Sequence, residues 1–195
     1  MIPTGMQTTI EPVDGGEKGA SEEGEPSRTC ADISIEDDRW TSVTGLEDLI
    51  PNLAAETLVA AQLSPESHCV SVALLSDSEV RAINRAFRGK DVPTNVLSFP
   101  SASAVRAASR KGEPVFLGDV ALAYETVMSE AESQGKTVLQ HTAHLVAHGI
   151  LHLAGFDHDG DADAERMETA ERIILARFGV PDPYREDSGS PTTAL

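Results

Sequence analysis

The stretch LVAHGILHLAGFDHDGD, residues 145–161, decides how this part of the chain folds. His148 and His152 are four residues apart, so on a helix both rings project from one face, one turn apart. Gly155 follows where a left-handed cap can end the helix, and the turn can bring His158 back over that face. Three imidazoles with one open position are a donor set for tetrahedral zinc. The stretch therefore predicts a helix, a turn and one divalent metal.

The same spacing occurs in the zinc-protease motif H-E-x-x-H-x-x-G-x-x-H, with one difference. The residue after the first histidine of that motif is a glutamate that acts as general base. Here it is Gly149, which has no side chain, so a hydrolase of peptides or other amides is a minor alternative. His141 and His144 are expected in supporting or solvated roles, because three ligands already complete a catalytic zinc shell.

A calcium loop is a further alternative for DHDGDADAERME, residues 157–168. Five acidic residues fall at positions 1, 3, 5, 7 and 12 of such a loop: Asp157, Asp159, Asp161, Asp163 and Glu168. Position 6 should be glycine and is Ala162. A helix beginning near Asp161 also fits, since acidic side chains are favourable at a helix N-terminus. We favour the helix start over the calcium loop.

Hydrophobic patterning predicts four strands and five helices in the chain. The strands are expected at 31–38, 68–76, 94–100 and 115–124. The helices are expected at about 46–63, 77–91, 124–134, 138–154 and 161–178. This order is typical of an α+β fold. It predicts a single domain with about a four-stranded mixed sheet, about five helices, and the metal site on a late helix and the turn after it.

The charge of the chain is uneven. Its 195 residues have 32 acidic and 15 basic side chains, a net charge of −17, and −8 of this lies in residues 1–38. Residues 1–30 are rich in Gly, Pro, Ser and Glu without apolar periodicity, so we expect a disordered acidic N-terminal tail. The folded domain is expected at 31–185 and a flexible C-terminal tail at 186–195.

Neither a signal peptide nor a membrane span is expected. The N-terminus lacks a basic start and an apolar core. The uncharged stretch Thr137–Phe156 contains four histidines, which are costly in hydrocarbon. Cys30 and Cys69 are expected to be unpaired, which suits a reducing compartment. The sequence therefore predicts a cytoplasmic protein without a membrane partner.

Four stretches resemble the YbeY-type bacterial endoribonucleases, also called rRNA maturation factors. HGILHLAGFDH (148–158) is similar to the family signature H-G-x-L-H-L-x-G-[YF]-D-H. FRGKDVPTNVLSFP (87–100) is similar to the family's F-R-G-K-D-x-P-T-N-V-L-S-F-P. LGDVALA (117–123) resembles its L-G-D-[IL]-x-I strand, and DPY (182–184) resembles its C-terminal end. The resemblance covers about residues 31–185, and the first two motifs are long and specific.

The resemblance implies a metal-dependent endoribonuclease that cleaves single-stranded rRNA in 16S 3′-end maturation and ribosome quality control. Its partners would be the ribosome or small-subunit assembly proteins. It implies one zinc ion (Zn2+) on His148, His152 and His158, which would be catalytic together with Arg88, the position of the family's functional arginine. A planar guanidinium suits this role, because it can bind two phosphate oxygens. The acidic N-terminus and the long 101–114 loop depart from the family pattern.

A local basic stripe offsets the acidity of the chain. Arg81, Arg85 and Arg88 are spaced four and three apart, so they share one helix face, and Lys90 follows. We predict that these four residues contact RNA beside the metal. Further positive charge lies in the following loop, at Arg106, Arg110 and Lys111.

A rival hypothesis is a non-catalytic, zinc-containing ribosome-assembly factor. Its zinc would be structural, and its basic stripe would dock rRNA or a ribosomal protein. Cleavage of RNA by the purified protein separates the two hypotheses.

Overall fold

The computed structural model describes residues 30–102 and 114–185. Residues 1–29 and 186–195 of the two predicted tails, together with Arg106, Arg110 and Lys111, lie outside these residues, so their predictions stay predictions. Cys30, the last residue of the predicted N-terminal tail, is described and is buried.

In the part of the chain that the structure describes, four strands form one mixed sheet. They are β1 (Ala31–Ile35), β2 (His68–Leu75), β3 (Val96–Pro100) and β4 (Val115–Ala123). The spatial order is β1-β2-β4-β3, with β1, β2 and β4 parallel and β3 antiparallel to β4. The predicted α+β class and mixed sheet are confirmed, and β3 lies at one edge of the sheet.

Five α-helices accompany the sheet within the described residues, as predicted. They are α1 (Leu46–Ala60), α2 (Asp77–Arg88), α3 (Tyr124–Ser133), α4 (Val138–Leu153) and α5 (Asp161–Arg177). Capping boxes start α2 at Ser76 and α4 at Thr137. α2 ends at Arg88 and is capped by Gly89, whose φ of 69° places it in the left-handed region.

The first strand is shorter than predicted. β1 ends at Ile35, and a 3-10 helix, Asp38–Ser42, follows where the sequence predicts the strand's end. The Asp37 side chain accepts a hydrogen bond from the backbone N–H of Arg39 and caps this helix. Its Trp40 is fully buried, and the indole N–H donates to the carbonyl of Leu75. The local cap and the tertiary anchor override the alternating strand pattern.

The two faces of the sheet pack differently. Alternate residues of β4 point to opposite faces, so Val120 and Leu122 join the main core with α1, α4 and α5. Ala121 and Ala123 join a smaller cluster with Val80 of α2. α4 is therefore the central helix of the domain and α2 covers the other face, next to edge strand β3.

None of the helices within the described ranges combines the length and apolar character needed to cross a bilayer.

Candidate metal centre

The three predicted histidine ligands converge at the end of α4. His148 and His152 lie on successive turns, and a turn at Gly155, with φ of 90°, leads to His158. One ring nitrogen from each histidine lies within 4.8 Å of the others. The Nε2 atoms of His148 and His152 are 3.1 Å apart. The first two rings are partly buried and His158 is exposed, so the cluster opens to solvent.

Hydrogen bonds aim the Nε2 atoms of the helical histidines into the cluster. His148 Nδ1 lies 2.8 Å from a carboxylate oxygen of Glu171, and His152 Nδ1 lies 3.1 Å from the carbonyl oxygen of Phe156. Both partners accept hydrogen bonds, so each Nδ1 carries the proton and each Nε2 presents a lone pair. Burial, reinforced by the neighbouring His148 and His158, lowers the pKa of His152 and disfavours a proton between the two rings.

This donor set fits a divalent cation. Two lone pairs 3.1 Å apart repel each other unless a cation lies between them. Nitrogens that bind one tetrahedral zinc at about 2.0–2.1 Å lie about 3.3–3.4 Å apart. The observed separation is close to that value, and imidazole nitrogen is a ligand that zinc prefers.

Glu171 of α5 is the main supporting residue, and our sequence reasoning missed it. Its side chain is fully buried and bonds to His148 Nδ1 at 2.8 Å, to His144 Nε2 at 3.1 Å, and to the Tyr184 hydroxyl. Burial opposes its ionisation, but hydrogen bonds from His144, His148 and Tyr184 lower its pKa to about 2. A signal was present in the sequence, because Glu171 shares the buried face of α5 with Met167, Ile174 and Leu175.

His144 and His141 bond to carboxylates and are not part of the cluster formed by His148, His152 and His158. His144 bonds to Glu171, and the buried His141 bonds through Nε2 to Glu130 at 2.7 Å. Glu130 also accepts a hydrogen bond from the Asn95 amide at 2.9 Å. These contacts agree with the supporting roles expected for both histidines.

Arg88 lies in the same cleft as the three histidines. The cleft has a volume of about 600 Å³, and Asn95 and Ser98 contribute to its wall. A guanidinium nitrogen of Arg88 approaches the Ser98 carbonyl at 3.5 Å. Within the described residues, no carboxylate lies within ion-pair distance of Arg88, so its charge is available to a ligand in the cleft.

The other members of the basic stripe differ in their pairing. Arg81 makes two hydrogen bonds to Asp91, at 2.9 and 3.0 Å, and this arginine lowers the pKa of Asp91. Its charge is therefore locally balanced. Arg85 and Lys90 have no carboxylate within 4.0 Å among the described residues and stay exposed. The pairing supports an RNA contact less for Arg81 than for the other three.

Comparison with known proteins decides the family. The family model described as Endoribonuclease YbeY matches residues 32–179. The chain belongs to the endoribonuclease YbeY family. The Endoribonuclease YbeY of Azorhizobium caulinodans is 46% identical over 156 residues, which are 78% of this chain and 94% of that protein. The Endoribonuclease YbeY of Novosphingobium aromaticivorans is 47% identical over 150 residues, which are 74% of this chain and 90% of that protein.

The predicted family and enzyme class, an endoribonuclease, are confirmed by these matches. A Thermotoga maritima protein solved in solution aligns with a TM-score of 0.48 and 23% identity, over 82% of this chain and 99% of its own.

In this YbeY family member, Gly149 has a structural role that excludes the protease glutamate. A Cβ at this position would lie 2.7 Å from Val120 Cγ1 and 3.1 Å from Ser98 Oγ. Position 149 is buried, so any side chain there would have to displace Val120 or Ser98. The amide-hydrolase alternative lacks its general base, because this position is glycine.

The calcium-loop alternative is wrong. α5 begins at Asp161, with Gly160 as its N-cap, so loop positions 5 to 12 are helical. A calcium loop needs these residues to wrap around the ion. The acidic helix start that we favoured is confirmed.

Proposed function

We propose that this YbeY family member is a zinc-dependent endoribonuclease specific for single-stranded RNA. We further propose that it acts in 16S rRNA 3′-end maturation and ribosome quality control, with the ribosome or small-subunit assembly proteins as partners. The observation that carries the proposal is the meeting of His148, His152, His158 and Arg88 in one open cleft. Membership of an endoribonuclease family supports RNA as the substrate.

The histidines are proposed to hold one zinc ion. Bound zinc would supply a Lewis acid for the scissile phosphate and would lower the pKa of a water towards about 7. The protein's part is to keep three neutral imidazoles aimed at one point. For two of them, Glu171 and the Phe156 carbonyl do this by accepting hydrogen bonds from the Nδ1–H groups of His148 and His152.

Arg88 is proposed to bind the scissile phosphate and to stabilise the charge that develops on it. Its guanidinium can donate two parallel hydrogen bonds to phosphate oxygens. The charge on those oxygens grows as the bond to phosphorus forms, so a fixed cation lowers the barrier. Ser98 holds Arg88 through a long contact with a neutral carbonyl, which leaves the guanidinium free to shift towards a phosphate.

Single-stranded RNA is favoured by the distribution of charge. The net charge of −17 argues against a broad basic surface of the kind that tracks a duplex. Among the described residues, Arg88 lines the cleft, and Arg85 and Lys90 lie close to it in sequence without a carboxylate within 4.0 Å. A single strand can place one phosphate in such a site, whereas a duplex also places its second phosphate backbone next to the protein.

We propose a cytoplasmic location for the protein. Cys30 and Cys69 are both free thiols. Free thiols are typical of a reducing compartment.

The test combines metal content with RNA cleavage. We expect about one zinc per chain in the wild type and loss of both zinc and cleavage in His152→Ala. Arg88→Ala should keep zinc and fold but lose cleavage of a single-stranded 16S 3′-end oligonucleotide by about 100-fold or more, as expected on loss of one electrostatic stabiliser. Arg81→Ala is the matched control, because it removes an arginine from the same helix whose charge Asp91 already balances. Its activity should stay within about threefold of the wild type.

Two results would contradict the proposal. Full activity of Arg88→Ala would show that Arg88 takes no part in RNA cleavage. RNA binding without cleavage by the zinc-loaded wild type would favour the rival assembly factor. The product ends identify the nucleophile, because a 2′,3′-cyclic phosphate forms only when the ribose 2′-OH attacks.

A further inference from the structure

Phe87 is the most exposed large apolar side chain among the described residues. It is 74% exposed, in the last turn of α2, whereas the next such residue, Val92, is 57% exposed. Aromatic rings carry large apolar surfaces that normally become buried. A ring left in water, next in sequence to a residue that lines the cleft, therefore points to a contact with a ligand.

The helix face of Phe87 explains why the ring is open. Val80 and Ile83 lie on the same face and pack under the sheet with the smaller cluster. Phe87 is one turn further on, where β3 is the last strand. Its ring contacts Phe99 of β3, with centroids 5.3 Å apart and an angle of 56° between the planes. Phe99 supports the ring from one side and leaves most of it in solvent.

The position of Phe87 connects it with the catalytic cleft. Arg88 is the next residue of α2 and projects about 100° further around the helix. Its guanidinium approaches the Ser98 carbonyl and lines the histidine cleft, while Phe87 stays against Phe99, the next residue of β3. The ring and the guanidinium therefore contact adjacent residues of the edge strand, the ring on the α2 side of the sheet and the guanidinium towards the cleft.

We propose that Phe87 is a stacking platform for a base of single-stranded RNA next to the phosphate bound by Arg88. This inference rests on the proposed function. Unpaired bases stack on exposed aromatic rings, and cations nearby hold the adjoining phosphates. Arg85, Arg88 and Lys90 surround Phe87 in sequence, and none has a carboxylate within 4.0 Å among the described residues. This charge favours a nucleic acid over an apolar protein segment.

The experiment separates stacking from simple apolar contact. Phe87→Leu keeps an apolar side chain against Phe99 but removes the aromatic face, Phe87→Ala removes both, and Phe87→Trp keeps an aromatic face. Affinity is measured with a 2′-O-methyl oligoribonucleotide whose intact length is checked after the titration. Initial rates on the matching RNA give KM and kcat. Ile173→Ala is the control, because Ile173 is 54% exposed on α5.

We expect Phe87→Ala and Phe87→Leu to weaken RNA affinity by similar factors, within about 5- to 150-fold, the range for loss of one stacked base. KM should rise while kcat changes less than about threefold. Zinc content should match the wild type. Phe87→Trp and Ile173→Ala should bind within about threefold of the wild type. The tryptophan of Phe87→Trp should be quenched by the oligonucleotide, since the only native tryptophan, Trp40, is fully buried.

Each other outcome overturns the inference in a distinguishable way. Wild-type affinity in Phe87→Leu with loss in Phe87→Ala would indicate an apolar contact, as with a protein partner. Wild-type affinity in both variants would show that no base stacks on Phe87, while cleavage by the wild type would leave the proposed function intact. Absence of RNA cleavage in the wild type would overturn both.

Discussion

Replacing Glu171 tests whether a residue that touches no substrate sets the metal affinity. Its carboxylate is fully buried, and its two oxygens accept hydrogen bonds from three donors on His148, His144 and Tyr184. Glutamine has nearly the same shape but offers one oxygen and one NH2 group. One part of the network must then face an amide donor, and the negative charge beside His148 is lost.

The structure predicts how Glu171→Gln settles. If the amide oxygen faces His148, the Nδ1 proton of that ring stays in place. The NH2 group then faces His144, which can accept only after its proton moves from Nε2 to Nδ1, an atom that is buried and unpartnered. Glutamine therefore keeps the contact with His148 and costs the fold less than alanine would, while His148 loses the carboxylate that makes its Nε2 a stronger metal ligand. We expect zinc affinity to fall about 10-fold, the lower end of the range for supporting residues of metal sites.

Glu171→Ala should be more severe. It leaves buried donors without an acceptor, at about 1–3 kcal/mol for each group. Zinc affinity should fall about 100-fold, and the metal-free protein should also lose stability. Glu171→Asp keeps the negative charge on a shorter side chain. Its zinc affinity should lie between those of the wild type and Glu171→Ala.

Zinc affinity is best measured by competition with a chromophoric chelator, in parallel with thermal unfolding of the metal-free protein. His148→Ala serves as the reference for the weakest zinc binding, because it removes a proposed ligand. The reasoning about Glu171 would be refuted if Glu171→Gln binds zinc with a Kd within twofold of the wild type while His148→Ala binds zinc more weakly. Equal losses of affinity and metal-free stability in Glu171→Gln would also refute it, because they would indicate a folding defect.

The remaining predictions concern the metal and the packing of α4. Removing zinc with a chelator should lower Tm by about 5–10 °C relative to protein held at a zinc concentration 100-fold above Kd. Binding at that excess stabilises the folded state by about 2.7 kcal/mol, and 1 kcal/mol shifts Tm by about 2–4 °C for a domain of this size. A Tm that does not depend on zinc in calorimetry would argue against a metal bound by the folded state. Gly149→Ala should destabilise the domain by about 1–2 kcal/mol, because the cost of overpacking against Val120 exceeds the gain from the higher helix propensity of alanine. A higher Tm of Gly149→Ala in the same scans would show that α4 can move away from the sheet at little cost.

Local patterns predicted the histidine cluster well, while its supporting contacts depend on tertiary packing. His148, His152 and His158 lie within eleven residues, so helix periodicity and one glycine turn suffice to bring them together. Glu171 reaches His148 from another helix, 23 residues later, and only the packing of α5 on α4 creates that contact. The pairing of Arg81 with Asp91 likewise depends on the turn after α2, so the predicted stripe looked uniform while its charges are not.

The two long motifs form one site because α4 approaches β3 closely. Ser98 Oγ donates a hydrogen bond to the Gly149 carbonyl at 3.1 Å, which joins the strand that carries the second motif to the helix that carries the first. That approach requires the absence of a Cβ at position 149. The position that holds the general base in a zinc protease therefore serves packing here. Ser98, which packs on Gly149, also lines the cleft shared by Arg88 and the histidines. In the proposed function this cleft offers a guanidinium for a phosphate and no carboxylate at position 149 for attack on an amide.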